Sequence, residues 1–181
     1  MAGFGTRLIG AMRLDAATFE DVEHDVTATG QAALVVLCSQ AAQALGLLRD
    51  GFGGLFAITV VFGVLGWIIG AMVLFFVGTK LLPDKGTEAD LGQLLRTVGF
   101  AEAAGVLGVA SLAPVVGSVV FLVVNIWILI AMVVAVRQAL DYQTTTRAIV
   151  VCIVAWILML AVQLVAGFFG VGAAVVAGPP S

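Results

Sequence analysis

LFAITVVFGVLGWIIGAMVLFFV, residues 55–77, carries no charge from end to end, and only Thr59 adds a hydroxyl. About 20 apolar residues, rising ~1.5 Å each as a helix, cross the ~30 Å hydrocarbon core of a bilayer. This stretch is therefore read as a transmembrane helix over about residues 55–79. Hydrophobic residues make up 62% of the 181 positions and charged residues 10%, with mean hydropathy +1.19. A soluble domain has roughly 25% charged residues, so lipid must solvate much of this chain.

Four further apolar stretches flank the first. One covers about residues 32–48 and is the least hydrophobic, carrying Ser39, Gln40 and Gln43. The others are expected at about 98–112, 115–136 and 147–167. A turn at Ala113-Pro114 with Gly117 separates the middle pair, and Thr144 to Thr146 open the last. Gly167, Gly170 and Gly172 are expected to weaken the final turns. The fold class is thus all-α: a polytopic bundle of five spans over residues 31–178, preceded by an amphipathic segment at 1–30.

Within residues 1–30, Phe4, Leu8, Ile9, Met12 and Leu14 alternate with Arg7 and Arg13. That pattern suits a short helix lying on the membrane surface, its arginines among the headgroups. Asp15 is a candidate N-cap for a second short helix with a stripe of Phe19, Val22 and Val26. His24, between two acids, is expected to be exposed.

Basic residues set the orientation. Arg7, Arg13, Lys80, Lys85, Arg96, Arg137 and Arg147 fall in three segments that share one side of a five-span bundle, and Arg49 alone falls opposite. Positive charge is retained in the cytoplasm, which predicts N-in and C-out. The expected location is a bacterial cytoplasmic membrane.

Most chemistry is absent from the pattern. His24 is the sole histidine, and Cys38 and Cys152 follow no metal-ligand spacing. No catalytic, cofactor or metal site is expected, and a net charge of −3 without a basic patch argues against nucleic acid. Gly78-Thr79-Lys80 lacks the earlier glycine of a phosphate loop, and Asp84, Glu88 and Asp90 suit a loop with a helix cap rather than a Ca²⁺ site.

Polar residues inside spans are the candidate sites. Glu102, read as one turn into the third span, is expected to meet Arg137 or Arg147 near the inner face, since buried charge is tolerated by pairing. The alternative is a proton or cation site. Asn125 and Gln163 are expected to bond across helices, or else to line a pathway. Gly66 and Gly70 form a GxxxG, and Gly105 and Gly108 lie on a second small-residue face; both faces are read as helix-packing surfaces, within the monomer or in a homo-oligomer.

Three runs resemble the Yip family (Ypt-interacting proteins), in particular its bacterial branch of small multi-span proteins. They are Arg13-Leu14-Asp15 with Phe19, Glu20, Val22, Asp25 and Gln31-Ala32; Gly99 to Gly105; and Val136 to Tyr142 with Thr146-Arg147-Ala148. The family hallmark at the third span is Gly-Tyr, three residues, then Pro. Here Phe100 and Ala104 stand at the Tyr and Pro positions. The resemblance implies five spans, a cytoplasmic N-terminus and no catalytic residues. The functional expectation is a non-enzymatic scaffold or membrane-organising protein, in contact with lipid and with a protein partner at its cytoplasmic face. The alternative is a small transporter or channel subunit using Glu102 and the buried amides.

Overall fold

The computed structural model describes residues 2–49, 51–84, 87, 89–113 and 116–177, the side chains of 46–49 and 165–177 excepted. Every element among them is helical. α1 (Phe4–Met12) and α2 (Ala16–His24) precede α3 (Ala28–Arg49). α4 (Phe56–Phe76) ends in one wide turn, Val77–Leu81. α5 (Leu91–Ala101) runs on as a 3₁₀ helix, Glu102–Leu112, before α6 (Gly117–Ala139) and α7 (Thr145–Ala177).

Among the described residues, four helical segments are long and apolar enough to cross a membrane: Gly53–Leu81, Leu91–Leu112, Gly117–Ala139 and Thr145–Leu164. The stretch expected as the first span is helical as α3. The chain is an all-helical, multi-pass membrane protein, and its lipid contact follows from those four segments. The sides of α4, α6 and α7 bear exposed Phe62, Ile69, Phe121, Leu122, Trp156 and Leu160, the surface that hydrocarbon covers.

Leu91–Leu112 is the centre of the bundle. In its apolar window 67% of residues are buried, against 17% in Gly53–Leu81 and in Thr145–Leu164. It packs on α3, α4 and α6, and α1 and α2 close over its first half. This helix begins seven residues before the expected Val98, because Asp90 and Gln93 form a reciprocal capping box: Gln93 N donates to Asp90 Oδ1, and Asp90 N donates to Gln93 Oε1.

From Glu102 onward the repeat tightens to three residues per turn, which stacks every third side chain. Glu102, Gly105, Gly108 and Ser111 fall in one line, and α3 presses against it. A Cβ at Gly105 would collide with Ser39 Oγ, and one at Gly108 would come 3.4 Å from the backbone of Gln43. The small residues here let two backbones approach.

Two more boundaries differ from expectation. α7 continues through Gly167, Gly170 and Gly172 to Ala177. Glycine costs a helix ~1 kcal/mol relative to alanine in water, but in lipid no solvent competes for the backbone groups, so the helix persists. Pro114, expected in the turn before α6, lies outside the described residues.

The N-terminal helices are packed into the fold. Phe19 and Val22 of α2 are buried with Ala11, Ala32, Val35, Phe100 and Ala135, while Val26 is exposed. Phe4 stacks edge-on to Phe100, ring centres 6.4 Å apart. Trp127 Nε1 on α6 donates to the Met12 carbonyl at 2.8 Å, tying the end of α1 to the bundle.

Candidate functional site

Two polar sites stand out, one inside the bundle and one at its end. Inside, Glu102 begins the 3₁₀ segment. It lies eleven residues, about three turns, beyond Leu91 rather than the one turn that was expected. Its Oε2 accepts from Ser39 Oγ at 2.9 Å, and Gln43 Nε2 donates to the same hydroxyl at 3.1 Å. Ser39 is fully buried. A chain of three polar side chains thus ends on the carboxylate.

Neither expected arginine reaches it. Arg137 donates to the Tyr142 carbonyl and to Thr145 Oγ1 at 3.2 Å, so it closes the turn between α6 and α7. Arg147 donates to the Pro83 carbonyl at 3.0 Å and lies 3.3 Å from Asp84 Oδ1. The pairing between Glu102 and a cytoplasmic-end arginine is therefore corrected. Depth is the cause: the capping box starts α5 early and carries Glu102 away from the end of α6.

Beside Glu102 is a cavity of about 250 Å³, bounded by all the long helices from α3 to α7. Gln40 and Gln163 reach its wall, as do Gly66 and Gly70. A Cβ at Gly66 or Gly70 would meet nothing within 4 Å. Those glycines open onto space, in contrast to Gly105 and Gly108. Asn125 is elsewhere, donating to the Phe121 carbonyl of its own helix at 2.8 Å.

The second site is the end of the bundle where α2, the segment after α4 and the α6–α7 turn meet. Arg7 is 1% exposed, not spread among headgroups. Its Nε donates to Asp21 Oδ2 at 2.8 Å, its Nη1 to Gln31 Oε1 at 3.3 Å, and its Nη2 lies 2.7 Å from Asp25 Oδ2. The hydrogen bond from Arg7 to Asp21, with help from Asp25, raises the guanidinium pKa further. The Thr27 hydroxyl, and then Arg7, hold Asp25 down at about 2.

Glu23, one position before His24, is also buried. Its carboxylate accepts from Gln93 Nε2 at 3.0 Å, and its carbonyl accepts from Arg96 Nη2 at 2.5 Å. Burial, then the charge of Asp141, pushes its pKa up to about 7. His24 is exposed, as expected, and its bond to the Glu20 carbonyl followed by the Glu23 charge raises it. Glu20, Glu23, His24, Arg137 and Asp141 border a polar recess of about 260 Å³.

Tyr142 secures this end. Its hydroxyl lies 3.0 Å from the Gly78 carbonyl and 2.9 Å from that of Leu82, carbonyls freed where α4 ends. Burial raises its pKa. A Cβ at Gly78 would press on the tip of the Leu140 side chain and on the Tyr142 hydroxyl.

Sequence reasoning found Glu102, Gln40, Gln43 and the Asp15 cap, whose carboxylate accepts from Ala17 N at 3.2 Å. It missed the buried roles of Arg7, Asp25, Glu23 and Arg96, and Asp21 as a partner of Arg7. One signal was available, because Asp21 and Asp25 are four apart and so place two acids on one side at the end of α2.

No curated protein matches the chain, and no solved structure does. The family model that matches is the Yip1 domain, over residues 10–167, which takes in α2 through the body of α7, the Glu102 site and all of the second site but Arg7. With the runs at Arg13–Ala32, Gly99–Gly105 and Val136–Ala148 all inside that match, the chain belongs to the Yip1 domain family.

Proposed function

We propose that this chain is a non-enzymatic scaffold or membrane-organising protein of a bacterial cytoplasmic membrane. In this reading it has five spans, α3 being the first, and residues 1–30 face the cytoplasm. Residues 31–178 form the transmembrane domain. One observation carries the proposal: α1 and α2 are held rigidly to one end of the bundle by the buried Arg7 and by Arg96. A fixed, charged surface is what a docking partner requires, whereas a transport route requires mobile or hydrated walls. Arg7, Arg96 and Arg137, which this reading puts on the cytoplasmic side, belong to that same end.

The partner-facing surface would be the recess beside Gln138 and Asp141. A photo-crosslinking residue at Gln138, activated in native membranes, is expected to yield a discrete protein adduct that disappears when Arg7→Ala releases the helices. Adducts with lipid alone would remove the docking role. A homo-oligomer would give an adduct of twice the monomer mass.

A second reading, a small transporter or channel subunit, is favoured by the cavity that joins Glu102 to Gln40 and Gln163. It predicts that Val106→Cys and Gly70→Cys react with a water-soluble thiol reagent in intact cells. A dry bundle leaves both unreactive.

A further inference from the structure

We infer that the cavity beside Glu102 binds a small organic ammonium ion carrying a compact apolar body. The inference is independent of the docking role proposed for the cytoplasmic end.

Glu102 stands midway along the central helix, a place where a carboxylate is expensive. Its one partner is the neutral Ser39 hydroxyl, and among the described residues no basic side chain pairs with it. Arg96, Arg137 and Arg147 are committed to backbone carbonyls elsewhere. Glu102 therefore lines the cavity with no counter-charge from any described side chain.

The walls define what supplies it. Trp67 and Trp156 contribute aromatic surface, and Met132 and Met159 contribute soft, adaptable apolar surface. A cation over an indole face is attracted by the ring quadrupole, by ~2 kcal/mol or more once desolvated. Gln40 and Gln163 add amide oxygens that can accept from an N–H. Carboxylate, indole and thioether together favour an ammonium over an anion or a neutral sugar.

Size narrows the class. About 250 Å³ lies below the ~300 Å³ at which drug-sized pockets begin, yet it corresponds to roughly eight waters at ~30 Å³ each. A bare alkali ion would leave most of that volume to be filled by water against tryptophan and methionine. An ammonium with an apolar body fills it. Exposed Trp156 and Gln163 on α7 put the mouth on the lipid-facing side, so the amine can arrive as a free lipophilic cation or as part of a lipid.

The test uses the full-length protein in neutral detergent and benzyltrimethylammonium as the probe, with its uncharged isostere neopentylbenzene alongside. The cation is expected to raise the melting temperature in a saturable way, and neopentylbenzene is not. Glu102→Gln should weaken the effect at least about tenfold, as should Gly66→Leu, which fills the cavity from its open wall. Glu20→Gln in the other recess should leave it unchanged. If Glu102→Gln fails to fold, Gly66→Leu alone decides the point. Equal stabilisation by both probes, or a shift that survives Gly66→Leu, overturns the proposal. So does stabilisation by NaCl at the same concentration. Mass spectrometry of protein released directly from membranes distinguishes the sources: an amine lipid held by the wild type and absent from Glu102→Gln points to lipid, and binding of the soluble probe alone points to a free amine.

Discussion

Ser39 Oγ lies 2.9 Å from Glu102 Oε2, directly over the bare backbone of Gly105. The hydroxyl can reach the carboxylate only because position 105 has no side chain. Gly105 stacks beneath Glu102 because the helix has tightened to three residues per turn there. Helix geometry, a glycine and a serine on another helix thus combine to hold one acid inside the membrane.

Removing the donor is the first expectation. Ser39→Ala leaves a carboxylate oxygen without its partner and should lower stability in detergent by about 1–3 kcal/mol. In the Glu102→Leu background the same substitution should cost far less. Additive effects in a double-mutant cycle would show that the two residues do not act as a pair.

The two small-residue faces should respond oppositely. Gly105→Ala and Gly108→Ala force a methyl against α3, and each is expected to destabilise by about 1–3 kcal/mol through overpacking. Gly66→Ala and Gly70→Ala enter open space and should be neutral, or stabilising by about 0.5–1 kcal/mol from helix propensity. Thermal denaturation of the four variants checks this. Equal losses in all four would mean that both faces are packed.

Arg7 is expected to govern the N-terminal helices. Arg7→Gln deprives Asp21 and Asp25 of their shared cation, so α1 and α2 should open more often. Arg13 is exposed, and tryptic cleavage after it should accelerate at least about tenfold while the bundle itself stays resistant. An unchanged cleavage rate would show that apolar contacts alone hold the helices down.

Glu23 sets an acid-side preference for docking. Its folded pKa of about 7 lies above the ordinary 4.5, so between those values the folded state holds more protons than the unfolded one. Stability is therefore greatest below about 4.5 and declines as pH rises through 7. Asp25 acts in the other direction, its contribution being lost as pH falls from about 4 to 2. Glu23→Gln keeps an oxygen for Gln93 and sheds the charge that faces Asp141. It should raise the melting temperature at pH 8, hardly change it at pH 5, and so flatten the profile. An identical pH profile for variant and wild type would assign the dependence to other groups.

Topology rests on α3. If α3 crosses the bilayer, Ala2→Cys reacts from the same side as Thr87→Cys and Gln143→Cys, and Phe52→Cys from the opposite side. Labelling of Ala2→Cys and Phe52→Cys from one side would leave the four apolar segments as the spans, with α3 folded against them.

Much of this was legible in the chain itself. Residues 55–77 could be nothing other than a spanning helix, because no other structure satisfies so long an uncharged backbone in lipid. Phe19 and Val22, the Asp15 cap and the three family runs were equally plain, since each is a local pattern. The fate of the charged residues was not local. Arg7 has the spacing of a surface arginine and becomes buried because α2 and α3 bring Asp21, Asp25 and Gln31 around it. Glu102 moved from the membrane edge to its middle because a capping box at Asp90 and Gln93 starts the central helix early. Whether a glycine admits a neighbour or opens a cavity depends on which helix lies opposite, and Gly66 and Gly105 differ in nothing that sequence records. Hydrophobicity and helix periodicity act over one or two turns, so sequence determines them. Charge partners, cavities and close approaches arise between segments far apart in the chain, and only the tertiary structure decides them.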